Sequence, residues 1–256
     1  MKTVCIIQAR LGSTRLPGKV LRPILGRPMI SYMIERVREV KKIDQILIAT
    51  TNRESDTPIA EFCQREEVAV FRGSEQDVLD RYYEAAKKVC ADVIVRLTAD
   101  CPLIDPSVVE QVLEVFLKGH PKIDFVSNVN PARFPDGMDT EVFSFNALER
   151  EWKEAKSPLE REHVTPYFSE VPGRFQTRNV EAGEDFSRYR LTVDYEEDFE
   201  VVKAVLQNLY PPRRIFGYRE MINFLERHPD VKEKNQKYNR NPWYESYRAS
   251  AKASQR

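Results

Sequence analysis

Val4-Cys-Ile-Ile-Gln8 runs straight into Ala9-Arg-Leu-Gly-Ser-Thr-Arg-Leu-Pro-Gly-Lys19, and the fold is read outward from that junction. A short apolar run closed by a turn is the pattern of a strand buried on both faces. An open α/β sheet gathers its ligands beyond the carboxyl ends of such strands. The loop that follows holds two glycines, small hydroxyl residues and three cations, Arg10, Arg15 and Lys19. Gly12 and Ser13 would let backbone N–H groups approach a polyanion, and the cations would neutralise phosphate charge. This is not a Walker A loop: five residues separate Gly12 from Gly18, and Val20 stands where Ser or Thr would hold magnesium. It does not read GxGxxG either. The competing reading is a basic surface turn; position and composition together favour phosphate.

Outward from this loop the first half alternates. Apolar runs at Val4–Gln8, Gln45–Thr50, Val68–Phe71 and Asp92–Leu97 predict strands. Between them, helical patterns cover Met29–Val40, Pro58–Glu67 and Asp77–Cys90, with Met29, Ile30, Met33, Ile34 and Val37 on one stripe. A further helix is predicted over Pro106–Lys118 and a strand at Phe125–Ser127. Strand–helix alternation implies an α/β fold: a mostly parallel sheet between two helical layers. The second half is less regular. Thr140–Phe145 alternates, Ser157-Pro-Leu-Glu160 fits a capping box that opens a short helix ending before Pro166, and Phe175–Val180 and Tyr189–Val193 read as strands. Glu196–Leu209 and Tyr218–Glu226 read as helices. The boundary is placed at 228: residues 1–228 form the domain, with an irregular segment near 130–175, and residues 229–256 read as a polar, weakly packed tail.

Composition excludes several classes. Forty Lys+Arg balance forty Asp+Glu, so nothing marks the chain as a nucleic-acid coat. No apolar run approaches the roughly 20 residues of a membrane span, and the first apolar run is too short for a signal peptide; a cytoplasmic protein is expected. Four cysteines without CxxC spacing and three scattered histidines argue against a disulfide frame or a zinc site.

Arg96-Leu-Thr-Ala-Asp100 and Arg190-Leu-Thr-Val-Asp194 both close an apolar run with Thr and then Asp. If the two lie side by side, both carboxylates project into one crevice, and magnesium favours one or two carboxylates together with substrate phosphates. Each aspartate alone reads equally well as a helix cap.

The opening loop resembles the signature of the CMP-sugar synthetases, the acylneuraminate and 3-deoxy-octulosonate cytidylyltransferases. Val95–Pro102 resembles their metal-aspartate strand. Gly73-Ser-Glu-Gln-Asp-Val-Leu-Asp-Arg81, Phe134-Pro-Asp-Gly-Met-Asp139 and Arg161-Glu-His-Val-Thr-Pro-Tyr167 are similar to the spore-coat-polysaccharide branch. The resemblance implies a nucleotide-diphospho-sugar-transferase fold, a Rossmann-like three-layer sandwich of GT-A type, and Mg2+-dependent transfer of CMP from CTP to a sugar acid or related acceptor, releasing pyrophosphate in surface-polysaccharide synthesis. Arg15, Lys19, Asp100 and Asp194 would be catalytic, the two aspartates holding the metal. Gln8, Ala9, Arg10, Leu11, Gly12, Ser13, Asp77, Arg81, Thr98 and Ala99 would contact the nucleotide. Asp136, Asp139, Glu141, His163, Tyr167 and Arg190 would face the acceptor. Relatives imply a homodimer built near residues 130–175.

The chain departs from the pattern at Thr98, where many relatives carry Gln. Asp77 also reads as a plain helix cap, the Asp136–Glu141 stretch as a solvated turn, and His163 as structural. Between residues 130 and 190 seven arginines are outnumbered by twelve acids, so charge alone does not indicate an acidic acceptor. Two rivals stand beside the synthetase: a glycosyltransferase of the same fold that consumes a sugar nucleotide, and a non-catalytic nucleotide-binding protein.

Overall fold

In the computed structural model, which describes residues 1–169, 173–211 and 213–240, a seven-stranded sheet carries the chain. Strand β1 spans Thr3–Gln8, and the short β2 (Pro23–Ile24) and β3 (Arg27–Pro28) form a separate antiparallel pair. Helix α1 (Met29–Val37), β4 (Gln45–Thr51), α2 (Thr57–Arg65), β5 (Ala69–Gly73), α3 (Val78–Lys88), β6 (Val93–Thr98) and α4 (Pro106–Gly119) continue the alternation. Then come β7 (Phe125–Ser127), β8 (Glu141–Ser144), α5 (Phe145–Glu154), α6 (Pro158–His163), α7 (Pro166–Ser169), β9 (Thr177–Asn179), α8 (Glu196–Leu209), α9 (Tyr218–Arg227) and α10 (Pro229–Lys232).

The strands lie in the order β5-β4-β1-β6-β8-β7-β9. Strand β8 runs antiparallel to both neighbours and every other pairing is parallel. The mixed, mostly parallel sheet expected from the sequence is therefore present, with helices on both faces. Alternation along β1 feeds two cores: Cys5 and Ile7 pack with α1, α4 and α8, while Val4 and Ile6 pack with α3 and α5. The reversal of β8 has a positional consequence. Its first residue, Glu141, pairs with Arg96 near the carboxyl end of β6, so the turn leading into β8 arrives at the same sheet edge as the opening loop.

Three expectations change. Tyr189–Val193 is extended but forms no strand of the sheet; it makes one bridge, Asp136 to Arg190, because the facing segment turns at Gly137. Helix α5 follows where no helix was expected: its buried face is Ala147, Leu148 and Glu151, and a carboxylate breaks the apolar stripe. Residues 229–240 stay packed against the domain. Val231 and Asn235 are buried, Tyr238 stacks on Tyr195 with ring centroids 3.8 Å apart, and Arg240 donates to the Phe134 carbonyl at 2.8 Å. Residues 241–256 of the expected tail and 170–172 of the irregular segment lie outside the described residues.

Candidate active site

Asp56 shapes the opening loop, and no motif announced it. Its buried carboxylate accepts the Leu11 N–H at 2.7 Å and the Thr51 hydroxyl, tying the loop to the end of β4. Ala9 N–H bonds the Ala49 carbonyl, Ser13 and Gly18 N–H bond the Leu11 carbonyl, and the Ser13 hydroxyl accepts the Leu16 N–H. Among the described residues nothing accepts from the N–H groups of Arg10, Gly12, Thr14 and Arg15. The backbone donors left open to an anion are thus these four. The N–H groups of Ala9, Leu11 and Ser13 are corrected out of that role, being held by the fold. The conformational demand falls on Gly18, whose φ of 71° lies in the left-handed region, rather than on Gly12.

Beyond the loop the two aspartates converge. Lys19 Nζ lies 3.3 Å from Asp100 Oδ2, 3.0 Å from Asp194 Oδ1 and 2.5 Å from the Val193 carbonyl. Arg15 Nη2 is 2.7 Å from Asp194 Oδ1. The Thr-x-Asp endings do come together, and Lys19, expected to face phosphate, bridges them. Burial opposes the charges of Lys19 and Asp100, but their attraction prevails: the lysine is held above its ordinary pKa and the aspartate below its own. Among the described residues no group of three or more metal-capable side chains occurs. Two carboxylates alone suit magnesium, which takes its remaining oxygens from phosphates and water.

Two cavities meet at this cluster, and Gln8, Arg15, Thr98, Asp100, His163 and Asp194 line both. The larger, about 550 Å³, is bounded by the opening loop, Ala99, Glu75 and Arg81. Arg81 is 2% exposed, no described carboxylate pairs with it, and burial pulls its pKa down. Asp77 is corrected out of this cavity. It caps α3 by accepting the Asp80 N–H, and its other oxygen accepts Arg161 Nε at 2.7 Å.

The second cavity, about 250 Å³, holds Asp136, Asp139, Glu141, His163 and Arg190. Arg190, expected to face the acceptor, lines this cavity with its guanidinium enclosed by carboxylates. Nη1 donates to Asp136 at 2.7 Å, Nε to Asp198 at 2.9 Å, and Nη2 to Asp198 at 3.0 Å and to Asp194 at 3.2 Å. Asn235 secures this hub from below, donating to Asp198 at 2.9 Å and to the Arg190 carbonyl at 3.1 Å. Gly137 sits at φ 102°, where a Cβ would meet the Leu191 carbonyl carbon at 2.7 Å, so only glycine lets Asp136 approach Arg190. Burial, then the negative charge of Asp139, pushes the Asp136 carboxyl up to about 7 against the pull of Arg240 and Arg190. Burial lowers the His163 pKa. Tyr167 is corrected out of the site: it is buried beside Phe175 and donates to Glu154 at 2.8 Å, while Thr165 and Pro166 line the cavity instead. Arg96 and Arg240, which reasoning from sequence passed over, pair with Glu141 and Asp139.

Comparison with known proteins places the chain in a family. A solved cytidylyltransferase from Leptospira borgpetersenii serovar Hardjo-bovis superposes with a TM-score of 0.88 at 36% identity, covering 94% of this chain and 100% of that one. The spore coat polysaccharide biosynthesis protein SpsF of Bacillus subtilis is 36% identical over 88% of this chain and 95% of its own length. The 3-deoxy-manno-octulosonate cytidylyltransferase of Trichlorobacter lovleyi is 36% identical over 47% of each chain. No helix among the described residues is long and apolar enough to cross a membrane. The family model of cytidylyltransferases matches residues 4–240, and the chain belongs to that family.

Proposed function

We propose that this cytidylyltransferase moves CMP from CTP to a hydroxyl of a sugar acid or related acceptor and releases pyrophosphate, with Mg2+ held by Asp100 and Asp194. One observation carries the reading: two carboxylates from separate segments share Lys19 beside a loop with four unengaged N–H groups. Magnesium, when bound, would neutralise phosphate charge and polarise the reacting phosphoryl group. The chain's own part is positioning and electrostatics. The loop N–H groups and Arg10 hold the phosphates. Arg15, with its forked donors, stabilises charge growing on the departing pyrophosphate. Arg81 offers donors to the base from its buried position. The acceptor stands in the smaller cavity, with its hydroxyl toward Asp100 and Asp194. The 3-deoxy-manno-octulosonate relative supports a sugar acid by analogy.

Calorimetry with the four nucleoside triphosphates in the presence of magnesium tests the donor, with CTP expected tightest. Clearly tighter UTP or GTP overturns the base assignment. Pyrophosphate release over a panel of sugar acids then tests the acceptor.

A further inference from the structure

Asp100 and Asp194 are not held alike. Asp100 follows β6, the central strand of the sheet, whereas Asp194 ends an extended segment that has no ladder to fix it. Its backbone is set instead by Asp198, a fully buried carboxylate in the first turn of α8. Asp198 accepts from five N–H groups. Four belong to the segment itself: Nε and Nη2 of Arg190 at 2.9 and 3.0 Å, and the backbone N–H of Asp194 and Tyr195 at 2.9 and 3.0 Å. Arg190 in turn reaches the Asp194 side chain, its Nη2 3.2 Å from Oδ2. The fifth donor comes from much later in the chain. Asn235, buried just beyond α10, donates from Nδ2 to Asp198 at 2.9 Å and to the Arg190 carbonyl at 3.1 Å, which uses both hydrogens of its amide.

Further along the same stretch, Tyr238 lies flat on Tyr195 with the ring planes 4° apart, and its hydroxyl donates to Glu197 at 2.9 Å. The Arg15 guanidinium stands over that Tyr195 ring, 5.2 Å from its centroid, while it pairs with Asp194 Oδ1. The stretch after α10 thus reaches Asp194 by two routes: through Asp198 and Arg190 to one oxygen, and through Tyr195 and Arg15 to the other. A metal-holding carboxylate works in the direction that its outer partners give it. The geometry points to a clasp: Asn235 and Tyr238 are positioning residues for the transfer, fixing from behind the direction in which Asp194 meets the metal. Neither lines either cavity, so both act through other side chains. The inference deepens, and rests on, the reading of Asp194 as a metal ligand.

The test reads metal affinity rather than turnover. Mn2+, a paramagnetic stand-in for magnesium, is titrated against the full chain with saturating CTP and followed by electron paramagnetic resonance, well below the Tm of every variant. Asn235→Ala should weaken Mn2+ binding about tenfold, the usual scale for losing a partner of a metal ligand, while the affinity for CTP without metal stays unchanged. In the Asp194→Asn background the same substitution should cost nothing further, because the residue it acts through has lost its charge. Tyr238→Ala should also weaken Mn2+ binding, and Tyr238→Phe, which keeps the stack, should not; this pair carries the test if Asn235→Ala fails to fold. A strap that only adds stability lowers Tm and leaves the affinity in place. Mn2+ affinity equal to wild type in Asn235→Ala and Tyr238→Ala overturns the inference. So does a loss in Asn235→Ala that persists in full beside Asp194→Asn. Mn2+ affinity untouched by Asp194→Asn alone sinks the metal reading of Asp194 instead, so the two failures are distinct.

Discussion

The two sides of the Asp100–Asp194 junction are built by opposite means. The proposed nucleotide side is assembled mainly from one stretch, residues 8–19, whose backbone donors are aimed by local hydrogen bonds and by Asp56. The proposed acceptor side has no local motif of that kind. It is assembled from ion pairs whose partners lie 45, 54 and 101 residues apart in the chain. A phosphate is the same in every nucleotide, and a backbone loop can recognise it whatever the side chains. An acceptor differs from enzyme to enzyme, and side-chain pairs can be exchanged one at a time. The contrast predicts that changes at the junction and loop act on the chemical step, and that changes at the far pairs act on acceptor binding and on stability.

The largest effect is expected at the junction. Asp100→Asn and Asp194→Asn each retain shape and remove charge, and each should lower the rate of pyrophosphate release by about a hundredfold or more. Near-normal turnover in either variant reduces that aspartate to a cap. Next comes the loop. Arg15→Ala should lower kcat about tenfold and change KM for CTP less, since charge on the leaving group grows only in the transition state. Arg15→Lys should recover only part of the loss, because a point charge cannot grip two oxygens. Equal kcat in wild type and both variants, measured at two salt concentrations, would return the loop to a surface turn and erase the contrast.

The smallest effect belongs to the acceptor side and is one of stability. The folded Asp136 carboxyl keeps its proton to about pH 7, whereas an unfolded aspartate releases it near 3.8. Between those values the unfolded chain binds fewer protons, so this group makes stability fall as pH rises from about 4 to 7. Asp136→Asn should flatten that dependence in melts recorded across the interval. An unchanged slope would show that Asp136 titrates as an ordinary carboxylate.

The same contrast explains what could be read from sequence. Strands β1, β4 and β6, the opening loop and the two Thr-x-Asp endings each announce themselves within a few residues, by apolar runs or clustered cations. Helix α5 was missed because Glu151 occupies its buried face, where a stripe needs an apolar residue. Tyr189–Val193 has the composition of a strand but meets a turn instead of a ladder. Asn235, Tyr238 and Arg240 are polar, so they leave no hydrophobic period; their docking rests on specific contacts with distant partners. Asp77 and Tyr167 fall within family-like motifs, yet their side chains face α6 and α5 rather than the cavities.

The position of Arg240 also sets a clock. Strands β1, β4, β5 and β6 and the loop between residues 8 and 19 have all been synthesised once residue 100 has been added. The guanidinium that fixes Asp139 arrives roughly 140 residues later, an interval of about 7 to 28 s at the usual 5–20 residues per second of synthesis. During that interval the opening loop is complete in sequence while Asp139 still lacks the guanidinium that fixes it. Fixing Asp139 is therefore a late step in the making of this chain.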